Sequence, residues 1–445
     1  MFKMKSTTIK YISIVIILFA ANIMLSMIEE QIQERSSNRH HAKSLVEKSW
    51  TGDQTIFAAI LKVPYQQKKV NRVFDKELDK YVERISWSEK STFILPDNLI
   101  LSGKLTHQTL SKGIYKVPVY NSEITLNGNL SLDKLKTLAE DKKIRLLNHG
   151  FLSIGIFDSR GISGSPLVKV NGKAQQVLSG TNLDFFGSGF HSKVSLLDKN
   201  KPFNFDINIQ VKGMGSINFL ATAKENNISI TSDWKHPSFI GSFLPVKRDI
   251  TDNGYSAKWK TGVFSTNIEN TIEKCFSNDC SELYVSSFGV NHIQSVDIYL
   301  KSLRSVKYGL LVVIITFTLF VLYEVLNTGV RIHPISYLLT GMALAIFFLL
   351  LVALSEHISF ALSYWISSIA CAGLIGYYVR YLSDSKMHGA SMFGLLNSFY
   401  LVLFFIIRSE DHALLSGSIL LFVLLTTVIV VTKNVDWYKM GKQGQ

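Results

Sequence analysis

Cysteine is scarce in this chain, three in 445 residues, and the scarcity removes several classes of protein at once. Three thiols cannot build a disulfide scaffold, and no second cysteine pair or sequence-adjacent histidine accompanies Cys275 and Cys280 to complete a tetrahedral zinc site. Clustered charge of one sign is also missing. The formal net charge is +13, but residues 29–306 scatter 36 basic against 28 acidic side chains. That pattern speaks against a nucleic-acid face and leaves only a weak attraction to anionic lipid headgroups. Catalytic signatures are absent too: there is no Gly-x-Ser-x-Gly elbow and no metalloprotease helix. Gly161, Gly164, Gly187 and Gly189 are turn glycines without the following helix that a phosphate-cradling loop requires. The sequence therefore points to a protein that is not an enzyme and carries no cofactor.

What the chain has in quantity is long apolar runs, in an uneven layout. A bilayer core needs roughly 20 apolar residues per helix. Ile9 to Met27, Tyr308 to Leu326, Ile335 to Leu354, Ile358 to Tyr378, Ala390 to Ile407 and Ala413 to Val431 each reach about that length. The fold class expected is thus a membrane α-helical bundle of six transmembrane helices plus an extracytoplasmic, mainly-β, sandwich-like domain. Its parts are an N-terminal transmembrane anchor (1–28), the β-rich domain (29–306), a five-helix transmembrane domain (307–432) and a cytoplasmic tail (433–445). Lys3, Lys5 and Lys10 precede the first span and hold the N-terminus in the cytoplasm, because basic short segments resist translocation. Threading onward puts Arg331, Arg380, Lys386, Lys433, Lys439 and Lys442 on the cytoplasmic side, with Arg408 the sole basic residue of a short external loop. A cleaved signal peptide is the alternative for the first run, with Ala20 and Ala21 near its end; the unbroken apolar stretch to Ile28 favours a retained anchor.

Residues 29–50 read as a helix carrying that anchor out of the membrane. Beyond Ile56 the texture shifts to period-two alternation, which predicts strands over Ile114–Tyr120, Glu123–Leu130, Ile144–Leu147, Leu152–Phe157, Phe203–Val211, Ser216–Thr222 and Ile228–Ser232. Asn127-Gly128, Asn171-Gly172, Asn226-Asn227 and Asn253-Gly254 supply expected turns. Ser131 to Ala139 is the one clear helical insert, with Ser131 or Asp133 as its cap. Many short strands with polar turns imply an antiparallel sandwich or two stacked sheets.

Several residues stand out for chemistry, each with a plainer structural reading beside it. Cys275 and Cys280 are spaced for a small disulfide loop in an oxidising compartment, two free thiols being the alternative, while Cys371 reads as a packed small residue of the fourth span. The hairpin tips around Ser355-Glu356-His357 and Ser409-Glu410-Asp411-His412 look alike and suggest a duplicated helical hairpin. Packed side by side, they bring Glu356, His357, Glu410, Asp411 and His412 together as an ion or proton cluster; helix capping and solvation explain the same residues more simply. Glu324 is the carboxylate within a span, expected to pair with Arg331 or His333 near the cytoplasmic end. Ser363, Ser367, Ala370, Gly373 and Gly376 make the fourth span the best candidate for an interior helix. Trp234-Lys235-His236-Pro237-Ser238-Phe239 describes a rigid bend followed by buried rings.

Taken together, Lys307-Tyr308-Gly309, Arg331-Ile332-His333-Pro334, Ser355-Glu356-His357-Ile358, Ser409-Glu410-Asp411 and Val435-Asp436-Trp437-Tyr438 resemble the CreD family of bacterial inner-membrane proteins. So do Val63-Pro64-Tyr65, Gly113 through Tyr120, Trp234 through Phe239 and Phe288-Gly289-Val290 in the polar domain. Cys275, Cys280 and His412 lie outside that pattern. The resemblance implies an inner-membrane location, to which the basic residues beside the spans add cytoplasmic termini and a periplasmic large domain. It also implies a part in cell-envelope integrity or the envelope-stress response, with no reaction attached. The reading that fits both the residues and the resemblance is a scaffold contacting membrane lipids, other envelope proteins or cell-wall components, and, from the scattered charge, no nucleic acid. The alternative is a transporter or lipid-handling protein that uses the paired hairpins as its path.

Overall fold

The structure is a computed structural model that describes residues 6–75, 80–197, 202–276, 280–292, 298–326, 332–408 and 413–433. They fall into two compact units, a helical one (1–41 with 296–445) and a β-rich one (42–295).

Among the described residues, five helices are long and apolar enough to cross a membrane: Ile9–Ser49, Ile298–Glu324, Pro334–Ser355, Phe360–Leu382 and Lys386–Arg408. A further apolar helix, Ala413–Thr432, follows. The first belongs to a 44-residue helix, Ser6–Ser49, so the charged segment after the apolar run is helical, as expected. Helix Phe360–Leu382 lies between its two neighbours. Its Tyr364 hydroxyl donates to the Tyr400 carbonyl at 2.8 Å on one side, and its Cys371 Sγ lies 3.5 Å from the Ala343 carbonyl on the other. Gly376 is required at the first of these interfaces: a Cβ there would meet the Gly389 carbonyl at 2.9 Å.

In the β-rich unit, β1 (Gln54–Asp75), β2 (Lys80–Ile94), β3 (Asn98–Lys112) and β4 (Tyr115–Leu130) open two sheets. The nine-stranded sheet is centred on β1, which runs parallel to Ser216–Leu220 and antiparallel to His149–Ile156 and β2. The eight-stranded sheet is centred on β3, parallel to Glu225–Ser232 and antiparallel to β4. Alternate residues of both sheets face a shared core: Leu99, Leu101 and Leu105 of β3 and Ile207 and Ile209 of Phe203–Gly213 meet Leu152, Ile154, Phe219 and Val290 of the other sheet. This is a sandwich, but the parallel pairing at each centre departs from the all-antiparallel expectation. On the other face of the nine-stranded sheet, Phe57, Ile60 and Leu220 pack against helices Ile268–Phe276 and Ser281–Val285, which the Cys275–Cys280 disulfide joins.

Two expected turns are strand instead. Asn127-Gly128 lies inside β4 opposite Asp206 and Phe205, and glycine is needed there because a Cβ would meet the Phe205 ring at 2.4 Å. Asn226-Asn227 begins a strand; the buried Asn226 amide bonds both the N–H (3.1 Å) and the carbonyl (2.8 Å) of Ala223. Asn171-Gly172 does form a turn, with φ of 49° and 77°.

Candidate functional site

One end of the sandwich interior is polar, and strand alternation puts it there. Inward residues of β3 run Leu99, Leu101, Gly103, Leu105 and then His107, whose register partner on β4 is Tyr120. The same alternation brings Tyr255 from Gly254–Gly262 and His292 from Phe288–His292 to this end. The crossover after Glu225–Ser232 adds Asp233 and Trp234.

The carboxylate of Asp233 holds His107 twice, accepting from its backbone N–H at 3.1 Å and from ring Nδ1 at 2.7 Å. With the proton on Nδ1, Nε2 carries a bare lone pair. That atom is buried and without a hydrogen-bond partner, and the His107 side chain is only 8 % exposed. His292 is fixed at both nitrogens: Nδ1 donates to the Gly215 carbonyl at 2.8 Å, and Nε2 accepts from the Tyr255 hydroxyl at 2.9 Å. Tyr120 donates to the Ser216 carbonyl at 2.9 Å. The imidazoles lie 4.5 Å apart between centroids, and the Trp234 ring covers His107 at 4.8 Å.

Burial governs the protonation of this cage. It drives His292 down to about 3, helped by the neighbouring His107, and lowers His107 although Asp233 favours its charged form. Burial also raises both phenols, Tyr120 and Tyr255. The outcome is a cage of neutral rings in which a carboxylate orients one imidazole and a phenol the other. Such a pair has the elements of general-base chemistry, yet the free Nε2 is enclosed by rings. An accessible groove lies elsewhere in this unit, about 180 Å³ on the eight-stranded sheet, lined by residues including Lys104, Glu123, Ser163, Gln210 and Lys212. Where the long helix ends, Arg160 donates to the Lys48 carbonyl at 2.7 Å and pairs with Asp158 at 2.6 Å, and that guanidinium holds the carboxyl below its ordinary range.

The residues singled out from the sequence fall elsewhere. Glu324 is ion-paired with Lys10 of the first helix, not with His333, whose Nδ1 accepts from the Ile335 N–H at 3.3 Å and caps its own helix; Arg331 lies outside the described residues. Glu356 accepts from the Tyr299 hydroxyl at 2.9 Å and lies 3.9 Å from Arg35, while His357 is exposed in the turn. Glu410, Asp411 and His412 lie outside the described residues, and so does the expected convergence of the two hairpin tips. Among the described residues no three His, Cys, Asp or Glu side chains form a metal-binding group.

The sequence reading passed over His107, Asp233, Tyr255 and His292. A signal was present: the Gly113–Tyr120, Trp234–Phe239 and Phe288–Val290 stretches adjoin or supply the cage, distant in sequence and joined by strand register.

Comparison with known proteins bears on all of this. The family model described as "Inner membrane protein CreD" matches residues 6–438. The Escherichia coli (strain K12) inner membrane protein CreD is 32% identical over 424 residues, which cover 94% of this chain and 90% of that protein. Among solved structures, yeast LTA4 hydrolase in complex with bestatin aligns with 46% of this chain and 30% of its own at 8% identity and a TM-score of 0.21, too slight to bear on fold or activity. With its apolar helices and its β sandwich, the chain belongs to the CreD family of inner-membrane proteins.

Proposed function

We propose that the protein supports the integrity of the cell envelope as a non-enzymatic scaffold. In this reading Ala413–Thr432 is the sixth span, both termini are cytoplasmic, and the sandwich stands in the periplasm, where it contacts lipid, other envelope proteins or wall components. The observation that carries it is the ring cage. Stretches by which the chain resembles its family meet in a sealed interior whose hydrogen bonds join the two sheets, which fits a domain valued for its shape. The basic residues beside the spans support the orientation. The test is complementation of a strain lacking the gene, scored by leakage of a periplasmic enzyme and by detergent sensitivity. Wild type restores the barrier. Substitutions on the outer sandwich surface lose the rescue although the protein accumulates normally, and retention of rescue by a chain lacking residues 54–292 refutes the proposal.

A second reading, transport or lipid handling, draws on the Lys10–Glu324 pair between apolar helices and on the buried, unpartnered Tyr337 hydroxyl. It predicts that Glu324→Gln abolishes rescue with expression intact, whereas the scaffold tolerates that change.

A further inference from the structure

β1 and β2 continue as a two-stranded ribbon past the sandwich. The pairing runs from Leu61↔Ile94 out to Asp75↔Lys80, while the short strand Ile144–Leu146 covers β1 only at Tyr65 to Gln67. Directly opposed residues share a face, so Lys68 and Trp87, Val70 and Ile85, and Arg72 and Glu83 lie on one side. Between those charged side chains the side exposes large apolar and aromatic ones: Val70 is 49 % exposed, Ile85 57 %, Trp87 46 %, and Tyr81, two positions beyond Glu83 on the same face, 71 %. The reverse face carries Lys69, Lys80, Arg84 and Lys90. An isolated two-stranded ribbon is marginal in water, and an exposed apolar face on it calls for a covering surface.

The charges indicate which surface. Residues 68–90 carry seven basic side chains (Lys68, Lys69, Arg72, Lys76, Lys80, Arg84 and Lys90) against five acidic ones (Asp75, Glu77, Asp79, Glu83 and Glu89), a small basic excess, and Arg145 adds a further cation over the Trp87 ring at 5.7 Å. Arg72 is partly neutralised by Glu83 at 3.6 Å, whereas on the reverse face Lys69 stands opposite Ser86, Arg84 opposite Asn71 and Lys90 opposite Tyr65. A second copy would bring like charge against like charge. An anionic bilayer meets both features, taking Trp, Tyr and aliphatic side chains at its interface and drawing the lysines and arginines that flank them. A protein of an inner-membrane family has such a surface in its environment.

We propose that the β1–β2 ribbon is a lipid-docking element whose Val70–Tyr81–Ile85–Trp87 face seats on an anionic bilayer surface. This deepens the scaffold reading by naming lipid as one partner. The test uses full-length protein carrying Cys371→Ala, with the Cys275–Cys280 disulfide intact, spin-labelled at Ile85→Cys or Ser86→Cys on opposite faces and reconstituted in vesicles containing phosphatidylglycerol. Collision with a water-soluble nickel chelate should be several-fold lower at residue 85 than at 86, and the difference should shrink in phosphatidylcholine vesicles or on adding Lys69→Glu with Arg84→Glu. Equal accessibility at the two positions overturns the proposal. So does shielding at 85 accompanied by spin–spin broadening, which assigns the face to a second copy, or shielding indifferent to lipid charge, which assigns it to protein. Envelope rescue is scored separately in Val70→Ser with Trp87→Ser: loss of the difference between residues 85 and 86 is expected there whether or not rescue survives, and a difference that persists in that variant sinks this inference alone.

Discussion

Acid should loosen the β-rich unit from the polar end of its sandwich. His292 is 7 % exposed and burial holds it at about 3, whereas an unfolded histidine titrates near 6.5. A depressed histidine pKa means that the unfolded chain takes up a proton the native one refuses. Stability is therefore full above about pH 6.5 and falls as pH drops towards 3, at a limiting slope of about 1.4 kcal/mol per pH unit. From this one group the loss is roughly 2 kcal/mol at pH 5 and about 4–5 kcal/mol at pH 3. His107, also lowered, acts in the same direction. Asp158, held below its ordinary 3.8 by Arg160, enters only under about pH 4, so the window from 6.5 to 4.5 isolates the histidines. The assay is hydrogen exchange of the full-length protein in detergent, with protection factors corrected for intrinsic exchange over Phe288–His292 and Ser216–Leu220. Opening free energies there should fall by roughly 2 kcal/mol or more between pH 7 and 5. His292→Gln should flatten the slope by about one proton. An unchanged slope in that variant, or no slope in the wild type, refutes the reasoning.

Other outcomes follow from the same structure. Asp233→Asn should cost the sandwich about 1.5–3 kcal/mol, read as a lower urea midpoint, because it weakens a charged acceptor serving both His107 N–H groups. Trp259→Ala, fully buried with Nε1 donating to the Phe243 carbonyl, should cost about 3–5 kcal/mol in the same experiment. Arg160→Ala should speed exchange at the helix end near Lys48 and leave the core strands unchanged, since the lost contact is local. Gly376→Val should abolish stable assembly of the helical unit, measured by size-exclusion yield, because a neighbouring backbone occupies the space.

Sequence patterns revealed some elements and not others, for identifiable physical reasons. Apolar runs mark the membrane helices because the hydrocarbon core imposes both length and composition, and strands such as Phe203–Gly213 show strict alternation because one face is core and the other solvent. The β1–β2 ribbon carries no such mark: beyond Lys68 neither face packs against the sandwich core and the alternation disappears. Asn127-Gly128 looked like a turn because local propensity cannot see the Phe205 ring that demands glycine. The cage was hidden for a related cause. His107, Asp233, Tyr255 and His292 are spread over some 185 residues and meet only through register, above all the parallel pairing of β3 with Glu225–Ser232. Glu324 was legible as an unusual carboxylate within an apolar run, but its partner Lys10 lies 314 residues away, beyond the reach of local reasoning.

The central claim is that the sandwich stands outside the inner membrane while the turn after helix Phe360–Leu382 stays within the cell. Its most direct measurement is labelling with a membrane-impermeant maleimide in intact spheroplasts, using His236→Cys on the exposed sandwich surface and Asp384→Cys in that turn, each in a Cys371→Ala background. The account predicts that residue 236 is labelled at once and residue 384 only after the membrane is permeabilised. Labelling of 384 in intact spheroplasts, or protection of 236, would contradict it.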